Sequence, residues 1–194
     1  IRVRRREGAR EGLAAELAFG LGASREGRDP ASIDDPVIIF GMYPVRGSVD
    51  RLERDPSGFL RVVDFKTGRF PKSLGDLGGG RVLQPALYAQ AVESLMKEPV
   101  EEGVLDFATE RAGHRRHVVR TTERSTLEAL GYVFDVIEQA HREGDFRAHP
   151  GPGDCRFCDF ASTLCGRREE ERTRLRYRPD EPAAERLAKL RGLP

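Results

Sequence analysis

Two acidic residues and a lysine lie at the ends of neighbouring apolar segments, where a charged side chain is unexpected unless it has a specific role. Asp50 ends one segment, and Asp64 and Lys66 end the next. Residues two apart on a strand project from the same face, so we expect Asp64 and Lys66 to lie side by side. Carboxylates are ligands for hard cations such as Mg2+ or Mn2+, and the carbonyl of Phe65 is a third candidate ligand. A lysine beside such a site can orient or deprotonate an attacking water, or neutralise charge on a phosphate.

The choice of lysine at position 66 is informative because lysine is rare in this chain. Only four of the 33 basic residues are lysines. An ammonium is a compact point charge, whereas a guanidinium is a planar fork, so the two are not interchangeable. The alternative interpretation is a salt bridge at a strand end, since short Asp-x-Lys matches are frequent.

Periodicity and turn residues predict the elements that position these side chains. Leu13, Leu17 and Leu21 favour an amphipathic helix over residues 4–19. Residues 36–65 predict a hairpin that carries Asp50 and Asp64 on its two arms. Further helices are predicted at 81–96, 123–143 and 182–190, and strands at 100–109 and 115–121. This order predicts an α/β domain with a central mixed β-sheet flanked by helices, in which 1–150 form the core and 151–194 a cysteine segment and charged tail.

The three cysteines fall within one short segment, from Cys155 through Cys158 to Cys165. This spacing is a poor disulfide framework and is typical of a metal or cluster site. Three thiolates after a Gly-Pro loop favour an iron-sulfur cluster. Zinc with His149 as an added ligand is one alternative, and free structural thiols are another. Reduced thiols predict a cytoplasmic location.

The overall charge is balanced, with 33 basic and 32 acidic residues. Net charge therefore supplies no strong field to attract a polyanion, and any nucleic-acid contact must come from local clusters. No apolar run is long enough to cross a membrane. One candidate cluster for phosphate contacts comprises Arg111, His114, Arg115, Arg116, His117 and Arg120, and another comprises Arg2, Arg4, Arg5 and Arg6.

The order of these motifs resembles the RecB family of PD-(D/E)xK nucleases. The resemblance is carried by Gly47-x-x-Asp50, Asp64-Phe-Lys66-Thr-Gly68, Gln84-x-x-x-Tyr88 and Cys155-x-x-Cys158 with Cys165. It covers about residues 16–172. The likeness is to the iron-sulfur type, which occurs at the C-terminus of AddB and AdnB helicase-nuclease subunits and in CRISPR-associated RecB-like nucleases.

The resemblance implies a restriction-endonuclease-like fold with a C-terminal cysteine loop and helical tail. It also implies a Mg2+- or Mn2+-dependent deoxyribonuclease, with exonuclease action expected on single-stranded DNA or duplex ends. Asp50 and Asp64 would be metal ligands, Glu16 an auxiliary ligand or merely a surface residue, and Lys66 the catalytic lysine. Two further residues, Gln84 and Tyr88, would share a helix face over the active site and contact DNA.

The resemblance further implies that Cys155, Cys158 and Cys165 hold a 4Fe-4S cluster, with the fourth cysteine outside this chain. The metal-binding histidine that such nucleases carry upstream of these strands is absent from this chain, because all four histidines lie downstream of Asp50 and Asp64. We therefore expect the nuclease module of a helicase-nuclease that processes DNA ends in recombination repair. A stand-alone CRISPR-associated nuclease is one alternative, and a non-catalytic DNA-binding or scaffolding module is the other.

Overall fold

The computed structural model describes residues 10–22, 26–71, 75–146, 154–161, 163 and 180–194. These residues fall into two compact units, one reaching residue 130 and including Pro194, and the other spanning 131–193. All the elements that carry Asp50, Asp64 and Lys66 belong to the first unit. The division of the chain into 1–150 and 151–194 stays a prediction. Among the described helices, none has both the length and the apolar character required to cross a membrane.

A five-stranded mixed sheet in the order β1-β4-β5-β6-β7 forms the first unit. The middle strands β5 and β6 are parallel, and the other neighbours are antiparallel. The prediction of a mixed sheet with flanking helices is confirmed. The sheet strands are β1 (Glu11–Phe19), β4 (Gly47–Arg54), β5 (Leu60–Phe65), β6 (Val100–Phe107) and β7 (Arg115–Arg120), and β2 (Val37–Ile39) and β3 (Tyr43–Val45) form a separate pair.

Within the described residues, three helices accompany the strands: α1 (Gln84–Met96), α2 (Arg124–Glu143) and α3 (Pro182–Arg191). The first connects the parallel strands β5 and β6 and packs on both of them, as a parallel crossover requires. Pro85 lies in its first turn, where proline is tolerated, and Lys97 ends it in the left-handed region at φ 58°. In the second unit, the Tyr132 hydroxyl donates a hydrogen bond to the Arg186 carbonyl of α3 at 3.2 Å.

The helix expected over residues 4–19 is wrong, because Glu11–Phe19 form the edge strand β1. Leu13 and Leu17 fit a helical stripe, but they also fit the period-two alternation of a strand. Pairing with β4 decides between the two, since it buries Leu17 and Phe19 completely. Glu16 on this strand is exposed and has a left-handed backbone, with φ 54°.

The hairpin expected over residues 36–65 is in fact two antiparallel pairs, β2–β3 and β4–β5. A tight turn breaks the first predicted strand, with Phe40 at φ 48° and Gly41 at φ 72°. The turn between β4 and β5, from Arg54 to Leu60, falls within the predicted hairpin. Its Asp55 carboxylate accepts hydrogen bonds from the backbone N–H of Ser57 at 2.8 Å and of Phe59 at 3.1 Å.

Candidate active site

The ladder between β4 and β5 brings the two predicted carboxylates together. The ladder pairs Leu52 with Val62 and Arg51 with Val63, so Asp50 and Asp64 are the next residues on the two strands. Asp50 accepts a hydrogen bond through Oδ2 from the backbone N–H of Phe65 at 2.6 Å. This bond fixes the Asp50 carboxylate beside the end of β5.

Asp64, Lys66 and Gln84 form a closed triangle of polar contacts. Lys66 Nζ lies 2.5 Å from Asp64 Oδ2. The same ammonium donates to Gln84 Oε1 at 2.7 Å, while Gln84 Nε2 donates to Asp64 Oδ1 at 2.6 Å. The structure therefore brings together three of the residues that the sequence predicts for the site.

The Asp64 carboxyl is the buried member of this triangle. Its residue is 7% exposed, and burial raises the pKa of Asp64 above its ordinary value, although the nearby Lys66 ammonium opposes that rise. The Asp50 carboxylate raises the pKa of Asp64 further. Lys66 lies within ion-pair distance of Asp64 Oδ2, but that oxygen accepts no well-directed hydrogen bond. A buried carboxylate oxygen with incomplete hydrogen bonding is suited to a cation ligand.

The position of Lys66 also depends on a residue that sequence reasoning missed, Asp106 of β6. The Lys66 backbone N–H donates to the Asp106 carbonyl at 2.9 Å, which continues the parallel β5–β6 pairing past Phe65. The Asp106 carboxylate accepts a hydrogen bond from Arg116 Nε at 2.8 Å. The signal available in the sequence was an acidic residue within the apolar run of residues 104–107, the same signal that identified Asp64.

Gln84 reaches Asp64 because α1 begins close against β6. A Cβ at Gly103 would lie 2.3 Å from the Pro85 carbonyl oxygen, so only glycine fits at this contact. Gly103 and Pro85 together set the height of the first helical turn above the sheet. That height places the Gln84 amide between Asp64 and Lys66.

Tyr88 lies one helical turn after Gln84 and packs on the neighbouring strands. Its ring meets Phe19 edge-on, with 6.2 Å between ring centroids. A Cβ at Gly47 would lie 2.8 Å from Tyr88 Cε1, which explains why glycine precedes Asp50 in this motif. The contact of Gln84 and Tyr88 with DNA stays a prediction.

The carboxylates Asp50 and Asp64 offer a hard-oxygen donor set that fits Mg2+ or Mn2+. No group of three or more His, Cys, Asp or Glu in the described part of the chain is arranged to hold a metal ion. The assignments of Glu16 and of the Phe65 carbonyl as ligands stay predictions.

Comparison with known proteins places this arrangement in a family. The sequence profile described as the PD-(D/E)XK nuclease superfamily matches residues 2–166. The chain belongs to the PD-(D/E)XK nuclease superfamily. Its mixed sheet and flanking helices are accordingly the restriction-endonuclease-like α/β fold of that superfamily.

Two curated relatives are similar to part of this superfamily domain, and each is named as one subunit of an ATP-dependent helicase/deoxyribonuclease. The relative from Symbiobacterium thermophilum is 37% identical over 84 residues, covering 41% of the chain and 7% of the relative. The relative from Clostridium tetani is 31% identical over 103 residues, covering 48% of the chain and 8% of the relative. The aligned part is thus a small fraction of either relative.

Two of the three cysteines that follow the nuclease core lie on or beside one short 3-10 turn, Asp154–Phe157. Cys155 is half-buried and Cys158 is exposed, and both are free thiols. Cys165 lies outside the described residues. The iron-sulfur assignment of the three cysteines, like the zinc alternative, stays a prediction.

The basic cluster predicted near β7 is divided by the nuclease fold. His117 is not part of a solvent-facing cluster, because strand pairing with Leu105 leaves it 8% exposed. Arg116 pairs with Asp106, and Arg120 Nε lies 3.8 Å from Glu123 Oε1. The guanidinium of the neighbouring Arg115 lies over an aromatic ring. The other predicted cluster, at Arg2, Arg4, Arg5 and Arg6, lies outside the described residues.

Proposed function

We propose that this chain is a Mg2+- or Mn2+-dependent deoxyribonuclease module that hydrolyses phosphodiester bonds. The observation that carries the proposal is the juxtaposition of Asp50, Asp64 and Lys66 beside the end of the β4–β5 ladder. Membership of a nuclease superfamily supports the reaction class. The deoxyribonuclease named in both relatives supports DNA as the substrate.

The residues that would hold the cation are Asp50 and Asp64, with the Phe65 carbonyl as a further candidate. The incompletely bonded Asp64 Oδ2 is the oxygen available to it. When bound, the cation supplies Lewis-acid stabilisation of the charge that develops on the phosphoryl oxygens. Burial of Asp64 strengthens this effect by excluding water from one side of the site.

Lys66 and Gln84 would act on the substrate side of the same site. The Lys66 ammonium has three N–H donors, and one of them is directed to Gln84 Oε1. The remaining donors can bind a phosphate oxygen or orient the attacking water. Because Gln84 contacts both partners, it keeps the Lys66 ammonium in place when the Asp64 carboxylate turns to a cation.

We further propose that the module acts on DNA ends as an exonuclease within a larger helicase-nuclease that serves recombination repair. The names of the two relatives support a helicase partner in the same polypeptide or complex. The DNA would be held through phosphate contacts from basic side chains, which fix the position of a strand without reading its bases.

The experiment that tests the nuclease proposal compares cleavage of a labelled linear duplex, a single strand and a closed circle, each with Mn2+ and with EDTA. We expect the wild type to degrade the linear substrates only with Mn2+. Asp64→Ala and Lys66→Ala should abolish cleavage, while Glu128→Gln, at an exposed carboxylate on α2, should not. Unchanged cleavage by Asp64→Ala would overturn the site, and a wild type that binds DNA with Mn2+ but never cleaves it would overturn the reaction.

The iron-sulfur proposal for Cys155, Cys158 and Cys165, with a fourth cysteine from outside this chain, has a separate test. Protein purified without oxygen is analysed for iron, sulfide, zinc and visible absorbance. We expect iron and sulfide in the polypeptide that supplies the fourth cysteine, and their loss in Cys155→Ala and Cys158→Ala. Zinc in place of iron and sulfide would favour the zinc alternative.

A further inference from the structure

The loop that follows Lys66 is fastened to the sheet by an aromatic side chain. The ring of Phe70 packs against Phe107 of β6, with 5.0 Å between ring centroids and 62° between ring planes. Phe70 is partly buried against the cluster of Leu105, Phe107 and Ala112. The guanidinium carbon of Arg115, the first residue of β7, lies 3.8 Å from the centroid of the Phe70 ring.

Strand pairing fixes the distance from this stack to the candidate active site. Phe65 pairs with Asp106 across β5 and β6, and Phe107 pairs with Arg115 across β6 and β7. Neighbouring strands lie about 4.8 Å apart, so the Arg115 backbone is roughly 10 Å from the strand that carries Asp64. Because Arg115 has a long side chain, its guanidinium lies within reach of a nucleic-acid backbone that passes over Asp64.

The contacts of Arg115 differ from those of the other arginines on the same strand. Arg116 and Arg120 each have a carboxylate partner, Asp106 and Glu123 respectively. Arg115 is exposed, and within the described part of the chain its guanidinium has the Phe70 ring as its contact and no carboxylate. Stacking on a ring restrains the plane of a guanidinium and leaves the N–H donors along its edge for an anion.

The charges near the site make such an anion contact useful. Asp50 and Asp64 are carboxylates that repel a polyanionic strand where it must approach. A phosphate contact outside this group offsets the repulsion and fixes the register of the strand without reading its sequence.

We propose that Arg115, with its guanidinium plane set by Phe70, binds a phosphate of the DNA strand next to the phosphate held at Asp64 and Lys66. This inference rests on the proposed nuclease function. Phe70 is then a positioning residue that acts through Arg115, and it also ties the loop carrying Lys66 to the same contact. The donors of a planar guanidinium match two phosphate oxygens, which an ammonium at this position would not.

The test measures binding of a fluorescent single strand by anisotropy in EDTA, over a series of salt concentrations, for wild type and variants. Arg115→Ala should weaken binding roughly threefold to tenfold and reduce the slope of log Kd against log salt by about one. Arg115→Lys keeps the charge and loses the stacked fork, so its affinity should be intermediate. Phe70→Leu retains an apolar anchor without the ring and should weaken binding less than Arg115→Ala.

Arg124→Ala is the matched control, because Arg124 is an exposed arginine whose carboxylate partner is Glu128 on its own helix. With Mn2+, Arg115→Ala should raise KM and leave kcat within about threefold of wild type. Phe70→Leu should also raise KM. Thermal unfolding of each variant should stay cooperative, and Arg115→Lys provides the same comparison if Arg115→Ala fails to fold.

The outcomes separate the two proposals. A wild type that binds no DNA would overturn the nuclease function and this inference together. A wild type that binds DNA, with an Arg115→Ala variant that matches Arg124→Ala in both affinity and salt slope, would overturn the phosphate role of Arg115 and leave the nuclease site standing.

Discussion

Glu53 on β4 and Asp64 on β5 are carboxylates of equal burial, each 7% exposed, but their partners differ in kind. Glu53 Oε2 accepts a hydrogen bond from Arg61 Nε at 2.7 Å, and Glu53 Oε1 lies 2.9 Å from Arg51 Nε. Both oxygens of Glu53 are thus held by guanidinium groups. Asp64 has a lysine ammonium and an amide, and its Oδ2 accepts no well-directed hydrogen bond.

Under the proposed function, partner chemistry rather than burial separates the structural carboxylate Glu53 from the metal-binding carboxylate Asp64. Guanidinium groups bind carboxylates through a rigid fork and hold Glu53 in one arrangement. The ammonium of Lys66 is a point charge that can turn to another oxygen while Gln84 holds it. Under the proposed function, Asp64 would exchange its partner for a cation, whereas Glu53 could do so only by giving up its 2.7 Å contact with the buried Arg61.

The largest effect should come from removing the charge of the functional carboxylate. Asp64→Asn should lower nuclease activity by roughly 1,000-fold or more, because it removes a ligand of the cation that stabilises the transition state. Glu53→Gln should retain most activity at a temperature where it is folded. Initial cleavage rates on a linear duplex with Mn2+ measure both activities. Equal losses of activity in the two variants would contradict the different roles of Glu53 and Asp64.

The second effect concerns stability, for which the change at Glu53 is the informative one. Glu53→Gln should lower the free energy of unfolding by about 3 kcal/mol, because it removes the anionic partner closest to the buried Arg61. Urea unfolding followed by circular dichroism measures the change. Glu128→Gln, at an exposed helix pair, serves as the control and should change the free energy by less than about 0.5 kcal/mol. A Glu53→Gln variant as stable as this control would contradict the structural role of Glu53.

The third effect tests the Gln84 amide, which hydrogen-bonds both Asp64 and Lys66. Gln84→Met removes both hydrogen bonds of the amide with little change in volume, so kcat should fall by roughly tenfold to 100-fold. Gln90→Met, on the same helix but beyond the site, should leave kcat near wild type. If the two methionine variants have the same kcat, Gln84 does not position Lys66.

The fourth effect is a pH dependence that follows from the raised pKa of Asp64. The folded chain holds the Asp64 proton more tightly than the unfolded chain, whose ordinary pKa is near 3.8. The free energy of unfolding therefore falls as pH rises from about 3.8 through the folded pKa of Asp64. Asp64→Asn lacks this loss, so its unfolding free energy relative to wild type should increase over that pH range. Urea unfolding at several pH values would refute the prediction if the difference stayed constant.

The smallest effect should come from Tyr88, whose described contacts are made by its ring. Tyr88→Phe keeps the packing against Phe19 and Gly47, so activity should change by less than about threefold. Tyr88→Ala should lower the melting temperature, since burying an aromatic ring contributes about 3 kcal/mol or more to stability. A large loss of activity in Tyr88→Phe, at unchanged stability, would instead assign its hydroxyl to the substrate.

The site was largely predictable where its geometry is local. Asp50, Asp64 and Lys66 lie on two strands joined by a short turn, and turn chemistry at Asp55 fixes that hairpin. The helix that carries Gln84 was also predictable, because its apolar spacing and its early proline both favour one helix.

The rest depends on pairings between distant segments. The apolar residues of β1 fit two periods, and only the partner strand β4 selects the extended form. The contacts of Asp106, Phe70 and Arg115 arise from the parallel pairing of β5 with β6, which no local pattern specifies. His117 was assigned to the basic cluster by residue type, because valines on both faces of β7 hide which face is buried; the structure buries His117 with Val119.

Gly103 sets how close the first turn of α1 can lie to the sheet, and so limits the geometry of the whole site. The space above it, where a Cβ would lie 2.3 Å from the Pro85 carbonyl oxygen, has room for a hydrogen atom and nothing larger. The methyl group of Gly103→Ala would displace the first turn of α1 and move the Gln84 amide away from the strand that bears its partners. The alignment of the polar triangle is therefore set by a residue that contributes no side chain of its own.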